Sequence, residues 1–285
     1  RKESSAASDV YKRQAFDHYN SNNEWGWLEN SIYKNDLQVI LGDIRDYDSV
    51  SKAMAGCDVV FHLAALIGIP YSYISPLAYI RTNVEGTYNV LEASKNLELE
   101  HILITSTSET YGTAQYIPID EKHPLVGQSP YSASKIAADQ LAISYYRSFD
   151  LPVKIVRPFN TYGPRQSARA IIPTIIAQII NGNNSLELGN ISPTRDLTYV
   201  ADTCNAIFDI YNSDSLFGEV INIGMNSEIS VGELAEFISE LMDSGIKIHS
   251  SNERVRPKLS EVERLVCNNS KLLSHTSWKP RYTLR

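Results

Sequence analysis

From residue 37 onward, short apolar segments alternate with segments of helical periodicity, and this alternation constrains the fold more than any other feature. Four apolar segments rich in Val and Ile predict strands, at 37–44, 57–65, 101–108 and 151–160. Helical patterns lie between them, at about 48–55, 77–97 and 131–149. Buried strands that alternate with helices form a parallel sheet covered on both faces. The sequence therefore predicts a doubly wound α/β fold.

Beyond residue 164 the pattern changes. The segment 168–180 is predicted to be helical once past Pro173, and strands are predicted at 195–200 and 219–224. A helix at 230–242 leads into a polar tail that carries several arginines. We therefore predict two units, a large domain over 15–165 and 197–225, and a smaller lobe over 166–196 and 226–285.

The two ends of the chain do not fit this pattern. Residues 1–14, RKESSAASDVYKRQ, have no apolar periodicity and resemble translated sequencing-adapter sequence. We expect a non-native tail there, with an ordinary disordered terminus as the alternative. The chain has no initiator methionine and stops at KPRYTLR before a helix is complete, so we expect a fragment truncated at both ends.

Composition narrows the class of partner. The net charge is −7, from 26 basic and 33 acidic residues, and this argues against nucleic acid or an anionic membrane as the main partner. Cys57, Cys204 and Cys267 are widely spaced and have no metal-ligand pattern, which predicts a reducing compartment and no metal site. No membrane span or signal peptide is visible, and we expect a cytoplasmic location.

The segment SPYSASK (129–135) places Tyr131 and Lys135 four residues apart, on one face of a predicted helix. A tyrosine that acts as a base near pH 7 needs its pKa lowered by about three units, or about 4 kcal/mol. A neighbouring ammonium ion and a positively charged nicotinamide ring could lower it. Taken alone, the pair is equally well explained as a surface helix pair.

A predicted strand end supports the catalytic interpretation. Thr107 lies in ITSTSETYG (104–112), where a parallel strand would end, and ligand sites in such folds gather at the carboxyl ends of strands. A hydroxyl at that place can bind the substrate hydroxyl that Tyr131 deprotonates. The alternative is a plain strand-end cap.

Six motifs together resemble the extended short-chain dehydrogenases, the NAD-dependent epimerase/dehydratase family. They are DVVFHLAAL, TNVEGTYNVLEASK, TSTSETYG, SPYSASK, RPFNTYGPR and RDLTYVAD, in the family's order over about residues 15–285. The sequence is most similar to the 4,6-dehydratase branch, through TSTSETYG, NEWGWLE and RPKLSEVERL. Within that branch it looks most like the GDP-N-acetylglucosamine 4,6-dehydratases of legionaminic acid synthesis.

The resemblance implies a Rossmann-type large domain that binds NAD, with NADP not excluded. The family's glycine-rich phosphate loop is absent from the sequence, so we expect the first strand and helix to be missing. Matching motifs implies cofactor contacts by eight residues, namely Asp43, Ile44, Leu63, Ala64, Ala65, Asn83, Tyr131 and Lys135. Asp17 is a candidate for the acidic residue after the second strand.

Ser108 and Glu109 distinguish a dehydratase from an epimerase in this resemblance, because epimerases generally lack a glutamate at this position. Loss of water from C5 and C6 needs a base for the C5 proton and an acid for the C6 hydroxyl. The resemblance therefore implies a catalytic set of Thr107, Ser108, Glu109, Tyr131 and Lys135. The product would be a 4-keto-6-deoxy sugar, formed by oxidation at C4, elimination and hydride return to C6.

The expected substrate is a nucleotide-diphosphate sugar. The resemblance implies that Asn160, Arg165, Arg195 and Arg256 contact it, and guanidinium groups suit a diphosphate. A homodimer through the helices 77–97 and 131–149 is implied in the same way. Three alternatives stay open: a sugar epimerase of the same family, a non-catalytic nucleotide-binding relative, and an inactive fragment.

Overall fold

The computed structural model describes residues 13–183, 185–250 and 257–284. Its strands are β1 (Gln14–His18), β2 (Gln38–Gly42), β3 (Val59–His62), β4 (His101–Thr105), β5 (Val153–Pro158), β6 (Asn160–Tyr162), β7 (Ser185–Leu188), β8 (Thr194–Arg195), β9 (Leu197–Tyr199), β10 (Val220–Ile223), β11 (Ile229–Ser230) and β12 (Lys247–Ser250). Its α-helices are α1 (Tyr47–Met54), α2 (Ile69–Ile74), α3 (Pro76–Tyr79), α4 (Gly86–Asn96), α5 (Pro130–Phe149), α6 (Ile171–Ile180), α7 (Val200–Asn212), α8 (Val231–Leu241) and α9 (Ser270–His275).

A parallel sheet in the order β10-β5-β4-β3 forms the centre, and β1 and β2 form a separate parallel pair. Alternate residues of β4 point to opposite faces. Ile102 and Ile104 join a core with α1, α4 and α5, whereas Leu103 joins a core with α7 and α9. Helices therefore cover both faces of the sheet, and the predicted doubly wound, Rossmann-like fold is confirmed.

The predicted helix 77–97 contains a break that its periodicity does not show. After α3, the segment Ile80–Glu85 winds as a π-helix, and α4 follows directly. Asn83 lies within this segment and is almost fully buried. A π-turn places one extra residue in the helix, so it changes which side chains face the sheet. Periodicity alone cannot report such a local insertion.

The smaller elements differ from the sequence-based expectations in two places. Helix α6 begins at Ile171, two residues before Pro173, because a proline in the first turn needs no backbone donor. The predicted strand 195–200 is divided into β8 and β9 at Asp196, whose carboxylate accepts from the backbone of Met225 and Cys267. Elsewhere in this part, β6 pairs with β9, β8 with β11 and β7 with β12.

The predicted division into two units remains a prediction, and the cores follow it only in part, because Leu272 and Trp278 of the predicted smaller lobe pack in a core of the central sheet. Around α6 and α8, Ile175, Leu186 and Leu234 belong to an apolar cluster separate from the clusters on the central sheet. Of the predicted tail 1–14, residues 1–12 lie outside the described residues. Arg13 is described, and Gln14 is the first residue of β1.

Candidate active site

The parallel strands β3, β4 and β5 end at the same edge of the sheet, and the predicted catalytic residues 107–109 follow β4. Strand β4 ends at Thr105 and continues into a 3-10 helix, Ser108–Tyr111. Thr107 caps this helix, since its side-chain oxygen accepts from the Glu109 backbone N–H at 3.3 Å. Ser108 is buried and Glu109 is half-buried. The cap thus determines the direction in which the chain leaves the strand.

Helix α5 begins beside this turn. Ser129 is its N-cap and forms a capping box with Ser132, so the first turn is anchored at both ends. Tyr131 and Lys135 lie in the first two turns and are 6% and 3% exposed. The Lys135 ammonium donates to the carbonyl oxygen of Thr105 at 2.6 Å, and this bond joins the helix to the end of β4.

The predicted catalytic side chains meet at this place. The Thr107 side chain is a hydrogen-bond partner of the Tyr131 phenol, and the Glu109 carboxylate is close enough to raise the pKa of that phenol. Tyr131 packs edge-to-face on Tyr79, with ring centroids 6.2 Å apart, and the Tyr79 hydroxyl donates to the Gly68 carbonyl oxygen. The phenol is therefore held by packing on one side and by Thr107 on the other.

Burial changes the pKa of both members of the pair. It raises the pKa of Tyr131, and the Thr107 hydrogen bond only partly opposes this. It lowers the pKa of Lys135, and the nearby Asp139 carboxylate opposes this. Because the site excludes water, the protein's own groups raise the pKa of Tyr131. A base that works near pH 7 requires the opposite change. Any lowering must come from charges that act during the reaction.

The predicted cofactor residues at the end of β3 leave an open surface. Leu63 is 63% exposed, Ala64 is exposed and Ala65 is half-buried. Asn83 lies beneath this strand end and holds it in place. Its side chain accepts from the Leu66 backbone N–H at 2.8 Å and donates to the Leu66 carbonyl oxygen at 3.0 Å. It also donates to the Ser134 hydroxyl of α5 at 2.9 Å.

These residues fit a dinucleotide. Two alanines at an exposed strand end let a ligand approach the backbone closely, and a buried ammonium beside a phenol can serve ribose hydroxyls. Ile44 follows β2, and its side chain packs against the backbone of Gly86. A Cβ added at Gly86 would lie 3.0 Å from the Ile44 side chain. Asp43 pairs with Arg45, which lowers its pKa to about 2. Its carboxylate is therefore an ionised acceptor.

The predicted substrate residues fall into two groups. Asn160 and Arg195 lie close along the backbone. The Asn160 backbone N–H donates to the carbonyl oxygen of Asp196, which is the residue after Arg195. The Asn160 Oδ1 atom is buried, with no hydrogen-bond partner among the described residues. Arg195 pairs with Glu261 at 3.5 Å. Arg165 is exposed and lies over the Trp27 ring, 5.5 Å from its centroid.

Arg256 lies outside the described residues, so the structure is silent on its predicted role. Two buried groups beside the site were not predicted from the sequence, namely Asp139 and Arg157, which form an ion pair of 2.6 Å. The signal for Asp139 was present, since it lies four residues after Lys135 on the same helix face. No such spacing points to Arg157, which belongs to β5.

The described part of the chain offers neither a metal-binding cluster nor a membrane-spanning helix. Within 13–183, 185–250 and 257–284, no group of three or more His, Cys, Asp or Glu side chains is arranged to hold a metal ion. No helix of that part of the chain is both long and apolar enough to cross a membrane.

Comparison with curated proteins shows the family. A family model described as GDP-mannose 4,6-dehydratase matches residues 6–285. The low-salt glycan biosynthesis protein Agl12 of Haloferax volcanii is 33% identical over 242 residues, covering 85% of this chain and 76% of that protein. A dTDP-glucose 4,6-dehydratase of Streptomyces antibioticus is 31% identical, covering 85% and 71%.

Solved structures share the fold over nearly the whole chain. DesIV, a dTDP-glucose 4,6-dehydratase of Streptomyces venezuelae solved with NAD bound, has a TM-score of 0.85 at 25% identity, covering 96% of this chain and 84% of that one. A UDP-N-acetylglucosamine 4-epimerase of Methanobrevibacter ruminantium has a TM-score of 0.82 at 30% identity, covering 94% and 84%.

The fold is that of an extended short-chain dehydrogenase. The chain belongs to the GDP-mannose 4,6-dehydratase family, within the NAD-dependent epimerases and dehydratases of nucleotide sugars. The predicted enzyme class, an NAD-dependent nucleotide-sugar 4,6-dehydratase, is confirmed at the level of this family. The predicted use of NAD agrees with the dehydratase neighbours that were solved with it.

Proposed function

We propose that this protein converts a nucleotide-diphosphate hexose into its 4-keto-6-deoxy derivative, with Thr107, Ser108, Glu109, Tyr131 and Lys135 as the active-site set. The observation that carries the proposal is the Glu109 carboxylate beside the Tyr131–Thr107 pair, since its charge acts on the Tyr131 phenol. A 4-epimerase needs only a base at C4, whereas a dehydratase also needs a carboxyl group for C5 and C6.

Tyr131 removes the proton of the C4 hydroxyl. Its pKa is raised by burial, so base function depends on positive charge supplied beside it during the reaction. Lys135 supplies part of that charge, and its bond to Thr105 holds the ammonium at the end of β4. Thr107 stabilises the phenolate through its hydrogen bond and orients the substrate hydroxyl. Bound NAD would supply the hydride transfer at C4 and C6.

Glu109 acts on the two carbons beside the new ketone. The ketone makes the C5 proton acidic, and the Glu109 carboxylate removes it. The carboxylic acid so formed then protonates the C6 hydroxyl, which leaves as water. Hydride return to C6 is completed by a proton to C5, which balances the proton that Tyr131 took from the C4 hydroxyl. Glu109 is half-buried, so its carboxylate can reach a ligand while it stays in contact with solvent. Ser108 is buried beside it and supports the turn.

The cofactor contacts are proposed at the strand ends. Asp43 and Ile44 flank the adenosine part, and Leu63, Ala64, Ala65 and Asn83 line the path from the pyrophosphate to the nicotinamide ribose. For the substrate, we propose Asn160, Arg165 and Arg195, and in addition Arg256, as contacts of the diphosphate and sugar. Support comes from the buried acceptor atom of Asn160 and from the partly buried guanidinium of Arg195. GDP and a 2-acetamido sugar rest on sequence resemblance.

A homodimer through the helices 77–97 and 131–149 and a cytoplasmic location belong to the same proposal. Leu77, Ile80 and Tyr88 leave large apolar side chains exposed on the first of these helices, which is the surface that a second copy would cover. NAD and nucleotide sugars are cytoplasmic metabolites, which supports the location.

Glu109→Gln in the full-length protein tests this function, with Glu236→Gln on the exposed side of α8 as the control for loss of one charge. We expect Glu109→Gln to allow C4 oxidation, seen as reduced-nicotinamide absorbance in a single turnover, but to slow water loss at least about a hundredfold. Mass spectrometry of the sugar product measures the loss of water. Unchanged dehydration would refute the role of Glu109. A C4 epimer that retains its C6 hydroxyl in the unmutated protein would favour the epimerase.

A further inference from the structure

A third charged residue lies on the same face of α5 as Tyr131 and Lys135. Asp139 follows Lys135 by four residues and is fully buried. Its Oδ2 atom accepts from the Arg157 guanidinium and from the Ser106 hydroxyl, both at 2.6 Å. The carboxylate therefore joins three elements: helix α5, strand β5 and the end of β4.

The Asp139 carboxylate makes fewer hydrogen bonds than a fully buried carboxylate usually has. Its Oδ1 atom is buried with no hydrogen-bond partner among the described residues, and the same holds for Arg157 Nε. A buried carboxylate with one unpaired oxygen costs stability, and hydrophobic pairs often replace such ion pairs without loss. A purely structural role explains the contacts but gives no reason for a charge at this position.

The charge acts on the catalytic pair. Asp139 opposes the effect of burial on the pKa of Lys135 and favours its ammonium form. Ser106, held by Asp139, is adjacent both to Thr105, which accepts from Lys135, and to Thr107, which bonds Tyr131. Position and charge of the pair thus depend on the same side chain.

We propose that Asp139 is a positioning residue of the reaction: it keeps Lys135 as an ammonium ion at the end of β4 and holds Thr107 against Tyr131. The inference rests on the proposed roles of Tyr131 and Lys135. Arg157 takes part by orienting the Asp139 carboxylate. Its guanidinium is fixed on the other side by the Tyr111 ring, 4.7 Å from the centroid, and Tyr111 donates to Asn222.

Other titratable groups also face this pair. His62 on β3 is buried beside Lys135, and its pKa is lowered to about 3, so it is neutral near pH 7. Glu109 and Tyr79 face Tyr131. Their effects are common to wild type and to an Asp139 variant, so a change in the variant reports on Asp139 and on the charge of Arg157 that it balances.

Asp139→Asn is the first test, because it removes the charge and keeps the shape. The unbalanced Arg157 guanidinium should favour the neutral form of Lys135 and the phenolate of Tyr131. We therefore expect both limbs of the pH profile for C4 oxidation to move to lower pH, by about one unit. Ser106→Ala is the matched control, since it removes a hydrogen bond to the same oxygen but no charge. It should slow C4 oxidation, because Thr107 is held less firmly against Tyr131, but it should leave the titration of Lys135 in place.

A second readout does not depend on activity or on a bound cofactor. In protein with ¹³Cε-labelled lysine, the NMR signal lost in Lys135→Arg identifies Lys135, and its titration is followed in wild type and Asp139→Asn. We expect it to titrate at lower pH in the variant. A folded variant with an unchanged Lys135 titration would overturn the inference. A shifted titration without the proposed dehydratase activity would overturn the proposed function alone.

If Asp139→Asn does not fold, the double variant Asp139→Asn, Arg157→Met removes both charges of the pair. Lys135 should then titrate below its wild-type pH, because its neighbouring carboxylate is lost. An unchanged value in the double variant would again overturn the inference.

Discussion

The Thr107 side chain is a hydrogen-bond partner of the Tyr131 phenol, and this contact joins the end of strand β4 to the first turn of helix α5. The contact opposes the effect of burial on the tyrosine, which would otherwise raise its pKa further. Two motifs that are separate in the sequence thus form one proton-transfer site.

Thr107→Val should slow C4 oxidation about tenfold to a hundredfold at neutral pH. Valine keeps the shape of threonine but removes the hydroxyl, so the pKa of Tyr131 rises and the acid limb of the rate profile moves to higher pH. Thr107→Ser keeps the hydroxyl and should retain most of the activity. The measurement is the pH dependence of single-turnover oxidation in the three proteins. Equal profiles for the valine and serine variants would contradict the role of the hydroxyl.

Gly112→Ala should destabilise the catalytic turn, with Gly56→Ala as a matched control. Both glycines have positive φ, 64° and 75°, so an alanine is strained at both positions. Only at Gly112 does an added Cβ meet other atoms, at 2.5 Å from Gln128 Oε1 and 2.8 Å from the Val126 carbonyl oxygen. We expect Gly112→Ala to lower the free energy of unfolding by about 1–3 kcal/mol more than the control.

Denaturant unfolding of the two glycine variants measures this difference. Gly112 ends the 3-10 helix that carries Glu109, so the same substitution should also reduce dehydration, whereas Gly56→Ala should not. Equal unfolding free energies for the two variants would show that Gln128 and Val126 give way without cost.

His62 predicts a pH dependence of stability. Burial, and secondarily Lys135, lower its pKa to about 3 in the folded protein, against an ordinary value of 6.5. The unfolded chain therefore binds a proton that the folded protein rejects, and stability is lost as pH falls from about 6.5 towards 3. The loss from this residue reaches about 4 kcal/mol. In His62→Gln, the slope of unfolding free energy against pH should fall by about one proton within this range, as measured by denaturant unfolding at several pH values. An unchanged slope would mean that His62 takes up its proton at the same pH in the folded and the unfolded protein.

Much of the fold could be predicted from the sequence. Strands such as β4 and β5 and the helix α5 show their periodicity locally, because each buries one face or both against its neighbours. The catalytic pair could be predicted for the same reason, since Tyr131 and Lys135 are four residues apart on one helix. Thr107 and Glu109 could be placed near them, because parallel strands end at a common edge.

The π-helical segment could not be predicted, because its extra residue is stabilised by contacts outside the helix. Asn83, within it, bonds to Leu66 on one side and Ser134 on the other. The pairing of Arg165 with Trp27 and of Arg195 with Glu261 likewise joins residues far apart in the chain. Spacing in a sequence carries no signal for such contacts.

By itself, the sequence determined the order of strands and helices, the residue types at the strand ends and the spacing on α5, because these follow from local periodicity and motif. The tertiary structure alone decided that Arg157 meets Asp139 and that burial raises the pKa of Tyr131 while it lowers that of Lys135. The physical reason is that water exclusion and charge pairing depend on which distant segments pack together. Neither is a property of the residues that titrate.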